Sequence, residues 1–445
     1  MLNWLLLRMM DPLVDDATVK MFTESYPDNP YVMITAAQKL TPKAIIEAGM
    51  RAESGKELNL PYGSNIVLSP WDKILMNPRQ LFHLPTDNID DISTSTIIGP
   101  KSSNPINLDI PIMITGMSYG GSLSLRMKEA LAKGASIAGT STNTGESCIT
   151  KEVRNTAKFV IGQYNRGGWQ TSPEHLSQLD AIEIQLGQGA WGGAVESVMQ
   201  SQDIKSHLKD TWHLKDGENA TLYSRMPEPK IDSTEGIIKL IDNLKSSYAV
   251  PVGIKIAGTD FIEYELEIIA KTKADFIVID GAEGGTAVAP PTLEDNLGLP
   301  TLHSLARTID WLEDNGIRER FSVIAAGGLT TPGHFLKALA LGADAIYIGS
   351  IAIFAAIQCQ AVKALPDTLP TQLALYKGKL TDKLDVDKAA THLGNFLKSC
   401  VAEMKLAAQA MGKNSLSELS REDLVTVDKD LSEFLNIRYA ASPRK

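Results

Sequence analysis

From Ile110 onward, short runs of β-branched and apolar residues alternate with stretches whose apolar positions recur at helical spacing. That alternation is the signature of parallel strands covered by helices. The runs predict eight strands: Ile110–Gly116, Gly139–Asn143, Phe159–Gln163, Ala181–Leu186, Val252–Ala257, Phe276–Asp280, Phe321–Ala326 and Ala345–Ile348. Helices are predicted over Leu123–Lys133, Phe261–Lys273, Thr301–Asn315, Pro332–Leu341 and Ile351–Ala364. Several strand runs are apolar throughout, as strands buried on both faces are. Eight βα units in succession favour a closed ring, so the expected fold is α/β, a (β/α)8 TIM barrel over residues 106–364.

The flanks read differently. Residues 1–105 carry helical patterns at Asp16–Tyr26, Val32–Leu40 and Pro42–Ser54, then a stretch broken by Pro61, Pro70, Pro78 and Pro85, which predicts a helical and irregular layer. Residues 365–445 form a helical extension. Its main helix, Asp385–Met411, shows apolar positions at Ala389, Leu393, Phe396, Leu397, Val401 and Met404, so it docks by one face, and Ser417–Leu424 reads as a last short helix. The polar insertion 192–235 is long for a barrel loop and is expected to cover the catalytic face.

Composition narrows the function classes. The 445 residues include 43 Lys and Arg against 53 Asp and Glu, a net charge of −10 that argues against nucleic-acid backbones as partners. Cys148, Cys359 and Cys400 are far apart and never paired as CxxC, so neither a disulfide framework nor a zinc cage is specified, and a reducing, cytoplasmic compartment is expected. The apolar run Met1–Leu7 is too short to span a membrane, and it leaves weak contact with a bilayer surface open.

Chemistry in such a barrel belongs to the carboxyl ends of the strands. Strands seven and eight end in Ala326-Gly327-Gly328 and Ile348-Gly349-Ser350, two glycine turns in the order that suits a phosphate-bearing ligand. Lys255 lies in an otherwise apolar strand and needs an anion or an electron-rich ring; a flavin offers one, because a cation near its N1 and O2 stabilises the reduced form. Strand one ends in Gly116-Met117-Ser118, small enough for a flat ring to rest on backbone. Strand two ends in Asn143-Thr144-Gly145-Glu146, where Glu146 is the best candidate for acid–base or substrate-orienting work. Strands three, four and six end in Gln163-Tyr164-Asn165-Arg166, Gln185-Leu186-Gly187-Gln188-Gly189 and Asp280-Gly281-Ala282-Glu283-Gly284-Gly285. Metal-ligand spacings among the seven His residues and a paired His-Glu helix motif are missing, which argues against zinc sites.

Taken in order, Gly116-Met117-Ser118-Tyr119-Gly120, Asn143-Thr144-Gly145-Glu146, Gln188-Gly189-Ala190, Gly284-Gly285-Thr286, Ala326-Gly327-Gly328 and Gly349 resemble the FMN-binding synthase domain of glutamate synthase, and more closely the short, stand-alone FMN-binding proteins of that family. The resemblance implies an FMN phosphate on Gly327, Gly328, Gly349 and Ser350. It implies a ring over Gly116, Met117 and Ser118, with Asn143, Gln188 and Lys255 at its edge and Gly284 and Gly285 among the cofactor-binding residues. It also implies Glu146 and Lys255 as catalytic groups of an oxidoreductase of the CH–NH2 class, delivering hydride to a 2-imino acid made from a 2-oxo acid and ammonia. Three departures qualify the transfer. Leu365 and Pro370 stand where two iron–sulfur cysteines of the family would follow Cys359, so no cluster is expected and the electron donor is unknown. Gln185 and Trp191 replace lysines beside the Gln-Gly-Ala motif, which weakens the case for a dicarboxylate substrate. The chain also starts without a Cys nucleophile, so ammonia would be free or supplied by a partner. Another FMN barrel reaction, such as isomerisation or hydroxy-acid oxidation, and a non-catalytic flavin-binding protein remain the alternatives.

Overall fold

The structure is a computed structural model, described for residues 14–24, 28–31, 34, 38, 41–54, 58, 63–64, 67–192, 196–227, 229–286 and 289–443. It divides into two compact units, Met1–Tyr62 and Gly63–Lys445. In the first, residues 14–23 and Pro42–Ser54 are helical, matching two of the expected patterns. Met1–Leu7 and most of Val32–Leu40 lie outside the described residues.

The second unit is built on eight parallel strands: β1 (Ile112–Ile114), β2 (Ser141–Asn143), β3 (Phe159–Tyr164), β4 (Ala181–Gln185), β5 (Val252–Ala257), β6 (Phe276–Asp280), β7 (Ser322–Ala326) and β8 (Ala345–Ile348). They are hydrogen-bonded in the order β1-β8-β7-β6-β5-β4-β3-β2, and a parallel bridge from Gly116 to Asn143 closes β1 onto β2. The expected barrel is therefore present, with each strand inside or within two residues of its predicted bounds. Side chains alternate inward along each strand, and Met113, Ile161, Ala181, Phe276, Val278, Ile324, Ala345 and Tyr347 fill the interior. A preceding hairpin, Thr96–Ile98 with Ile106–Leu108, packs Ile98, Ile106 and Leu108 against the same cluster and plugs its amino-terminal end.

Three helices matter for the site. α1 (Leu125–Ile137) follows β1, α2 (Ser350–Ile357) follows β8, and α3 (Val386–Ala410) is the tail helix. The last buries Ala389, Leu393, Leu397, Val401 and Met404, five of the six positions its periodicity marks, with Phe396 half-buried against the core. Gly134 of α1 lets it pack closely, since a Cβ there would lie 2.8 Å from Leu393 Cδ2.

One tail expectation is corrected. Ser417–Leu424 is not a helix but two 3-10 turns, Leu416–Glu418 and Arg421–Asp423, leading into a strand Leu424–Thr426 that pairs antiparallel with Ile74–Met76. Leu424 and Thr426 are buried on either side of a half-buried Val425, a period of two too short to read beside the charged turn before it. Among the described residues no helix is long and apolar enough to cross a membrane.

Candidate active site

Towards the carboxyl ends of the strands the barrel interior turns polar. Glu183 stands mid-way along β4 between Ile182 and Ile184, which face outward, and its carboxylate is fully buried. Three donors reach it from three other strands: Gln163 Nε2 at 2.7 Å, Tyr347 Oη at 2.9 Å and Asn143 Nδ2 at 3.3 Å. Beside this group Lys255 Nζ pairs with Asp280 Oδ2 at 2.8 Å. Burial works against the Lys255 ammonium, but Asp280, Glu183 and Glu146 outweigh it and hold its pKa above the usual lysine range. The anion that the sequence required of Lys255 is thus present in the protein itself.

Above this layer lie the loops after β1 and β2. Gly145 takes φ +64°, and a Cβ there would meet Ser118 N at 2.5 Å, so the two loops are in direct backbone contact. Asn143 sets that turn, its Oδ1 accepting from Gly145 N at 2.8 Å while its Nδ2 is spent on Glu183 and Tyr347. Asn143 therefore holds the loop and does not present a free amide donor to a ring. Lys128 of α1 ties both loops from behind, donating to the carbonyls of Met117 at 2.7 Å and Asn143 at 2.6 Å.

Glu146 is buried and ion-paired with Arg166, Nη2 to Oε1 3.3 Å. Burial raises its pKa, while Arg166 and Lys255 pull the other way. The Arg166 guanidinium lies 5.2 Å from the Trp191 ring centroid and donates to the Tyr223 carbonyl at 2.7 Å. Among the described residues, buried Gln185 Oε1 and Trp191 Nε1 have no hydrogen-bond partner. Such atoms are costly in a finished core and suit a polar ligand at the mouth.

The insertion has its own structure, a hairpin of Ser197–Met199 with Ala220–Leu222 and a helix Ser206–Thr211. Its apolar underside, Leu208, Trp212 and Ala220, packs with Tyr119, Cys148, Trp169 and Tyr376 over the β1–β3 loops. Trp169 and Trp212 stack at 4.3 Å and donate to the Glu146 carbonyl and the Ser147 hydroxyl at 3.1 and 2.8 Å. The expected cover is present, and it grips the Glu146 loop.

At the β7 and β8 ends, Gly327 and Gly328 take φ +107° and +66°, conformations that a side chain would strain. Gly349 is the N-cap of α2 and supplies no side-chain acceptor, whereas Ser124 caps α1 through Met127 N. An uncapped helix start behind a glycine turn is a fitting seat for an anion. Gly116, Met117, Ser118, Gln188, Gly284, Gly327 and Gly349 are half-buried and Gly285, Gly328 and Ser350 exposed, so these predicted positions stay accessible. Gln188 accepts from Gln185 Nε2 at 3.2 Å. Cys148 and Cys400 are buried apart from Cys359, and the described residues contain no group of three or more His, Cys, Asp and Glu able to hold a metal.

Sequence reasoning missed Glu183, Tyr347 and Lys128. A lone carboxylate at the inward phase of Ala181-Ile182-Glu183-Ile184-Gln185 was a usable signal. Lys128 gave none, because a lysine on an amphipathic helix reads as exposed. Its charge has a measurable consequence. Burial pushes its pKa from 10.5 down to about 7, so between those values the unfolded chain holds a proton that the native state does not. Stability contributed at this position then rises with pH, by at most about 1.4 kcal/mol per unit. The expected result is a wild-type minus Lys128→Met difference in unfolding free energy that increases above about pH 7. A pH-independent difference in chemical denaturation would contradict it.

The comparisons bear on what this site belongs to. The conserved region in glutamate synthase matches residues 72–414. The archaeal-type glutamate synthase (NADPH) of Thermotoga neapolitana is 30% identical over 403 residues, 85% of this chain and 78% of that one. The glutamate synthase large subunit-like protein of Rhizobium meliloti is 30% identical over 84% of this chain and 88% of its own length. Among solved structures, a flavocytochrome b2 variant with benzoylformate superposes with TM-score 0.51 at 16% identity, over 84% of this chain and 80% of that one. An (S)-mandelate dehydrogenase variant does so with TM-score 0.51 at 15% identity, over 80% and 88%. Those likenesses establish the barrel fold, while the matched region and the sequence relatives establish that the chain belongs to the glutamate synthase family of oxidoreductases.

Proposed function

We propose that this chain binds FMN at the barrel mouth and reduces a 2-imino acid, formed from a 2-oxo acid and ammonia, to the amino acid. The observation that carries the reading is the buried Lys255, ringed by Asp280, Glu183 and Glu146 at the strand ends of a glutamate synthase family barrel. The residues fit the cofactor: the uncapped start of α2 behind Gly349 suits its phosphate, together with Gly327, Gly328 and Ser350, and unpartnered Gln185 Oε1 and Trp191 Nε1 suit a polar ring edge or substrate. Gly116, Met117 and Ser118 would back the ring, with Gln188, Gly284 and Gly285 beside it. When bound, FMN supplies the hydride.

The protein's own groups do the rest. Lys255 stays protonated and offsets negative charge developing at the strand ends. Arg166 is buried against Trp191 and suits a substrate carboxylate shared with Glu146, a partial replacement for the cations that Gln185 and Trp191 do not provide. Glu146, its pKa raised by burial, is suited to protonate the hydroxyl that leaves as water when ammonia adds to the 2-oxo carbon. The cover over Glu146 excludes water that would return the imine to the oxo acid.

The test is anaerobic. Protein loaded with FMN and reduced chemically should reoxidise when 2-oxoglutarate and ammonium are added together, and not with either alone. Flavin that stays reduced with this pair and with shorter 2-oxo acids would remove the synthase reading.

A further inference from the structure

We propose that Glu183 is a positioning residue, an ionised carboxylate buried beneath the proposed flavin seat that fixes the orientation of Asn143, and through it of Gly145 and Glu146, while offsetting the charge of Lys255. The part concerning flavin rests on the FMN reading above. The part concerning the loop does not.

The argument starts from a backbone donor whose direction is not adjustable. Gly145 N–H points at Asn143 Oδ1 at 2.8 Å, which assigns the oxygen of that amide and leaves Nδ2 needing acceptors. It finds Tyr347 Oη at 3.1 Å and Glu183 Oε2 at 3.3 Å. Since Tyr347 Oη accepts from Asn143, its own O–H is free to donate, and it does so to Glu183 Oε2 at 2.9 Å. Gln163 Nε2 donates to the other oxygen at 2.7 Å. Every direct neighbour of the carboxylate is thus a donor, and a proton on either oxygen would face an N–H or O–H. Burial pushes the Glu183 pKa up, while Lys255 and these three donors pull it down, and the donor geometry serves the anion.

The charged groups around it complete the case. Lys255 is the cation of the layer, Asp280 is its direct partner, and Glu146 with Arg166 lies above. Glu183 is a second anion against a single lysine, so the layer carries one excess negative charge below the Glu146–Arg166 pair. A fixed negative charge there opposes charging of a reduced ring, and Lys255 favours it; the potential reflects their balance. Glutamine at 183 keeps the shape, removes the charge and sets an NH2 against either Gln163 Nε2 or the pair Asn143 Nδ2 and Tyr347 Oη, so at least one of these contacts is lost and the charge-assisted hold on Asn143 goes with the charge.

The experiment compares wild type, Glu183→Gln and Tyr347→Phe. In apoprotein, hydrogen exchange at the Gly145 amide should be at least about tenfold faster in Glu183→Gln, because its acceptor is no longer held. With FMN bound, the midpoint potential of Glu183→Gln should move to more positive values, by a shift equivalent to about tenfold or more in the oxidised-to-reduced ratio. Tyr347→Phe keeps the charge, so its potential should stay at the wild-type value while kcat falls several-fold. Unchanged Gly145 protection in folded Glu183→Gln would overturn the positioning role, and an unchanged potential would overturn the electrostatic one. If Glu183→Gln does not fold, Tyr347→Phe with wild-type kcat and Gly145 protection overturns the proposal. Wild type that takes up no FMN, with Gly145 protection lost in Glu183→Gln, would strike the FMN reading and leave the loop role standing.

Discussion

Replacing Lys255 with methionine is expected to cost about 3–5 kcal/mol of stability and, in protein that still folds, to lower turnover by roughly two to three orders of magnitude. The stability loss follows from what remains. Asp280 Oδ2 loses a partner at 2.8 Å in a site where Lys255 is 3% exposed, and Glu183 and Glu146 lose the cation that both feel. The turnover loss follows from charge, since a methionine fills the same volume and offsets nothing at the strand ends. The two effects separate in a double variant. Lys255→Met with Asp280→Asn removes both members of the pair and should recover most of the stability without recovering turnover. Urea denaturation and steady-state rates check each, and wild-type turnover in the single variant would remove Lys255 from the mechanism.

Gly189→Ala is expected to be the most damaging single methyl addition in the described chain. A Cβ there would sit 1.6 Å from the Gly281 carbonyl oxygen and 2.5 Å from its carbon, both backbone atoms that no rotamer change can move aside. The loops after β4 and β6 must then part. Gly281 N donates to Ala326 O at 2.9 Å, so the displacement reaches the start of the Gly327-Gly328 turn. The expected outcome is a loss of about 3 kcal/mol or more, together with FMN affinity reduced by at least roughly a hundredfold. Gly236→Ala is the control, because its nearest neighbour would be 3.6 Å away inside a helix, and it should be neutral or slightly stabilising. Thermal melts and flavin titration of the two variants test the contrast; equal behaviour would refute the close approach.

Much of this was legible in the chain. An isolated cation in Gly253-Ile254-Lys255-Ile256-Ala257 must have a partner, and the structure supplies Asp280. Glu146 is a carboxylate at a strand end, and it is buried against Arg166. The resemblance puts Asn143 at a ring edge, whereas its amide is engaged inside the barrel by Glu183, Tyr347 and Gly145. Strand-end position could not reveal that, since it depends on what faces it from β4 and β8. The insertion reads as polar, and its apolar underside is hidden because Leu208, Trp212 and Ala220 stand singly among charged and polar neighbours.

The amino-acid sequence by itself determined the eight strands, their order along the chain and the helices after β1, β5, β6, β7 and β8, because apolar runs and helical patterns are properties of neighbours along the chain. It also determined where glycines would cluster, at strand ends that must turn. Only the tertiary structure decided which polar side chains meet. Glu183 reaches Gln163 across 20 residues, Asn143 across 40 and Tyr347 across 164, and Asn143 reaches Tyr347 across 204. Those meetings depend on the stagger of eight strands around a closed barrel, and that stagger is set by how the whole interior packs, not by any one strand's own residues.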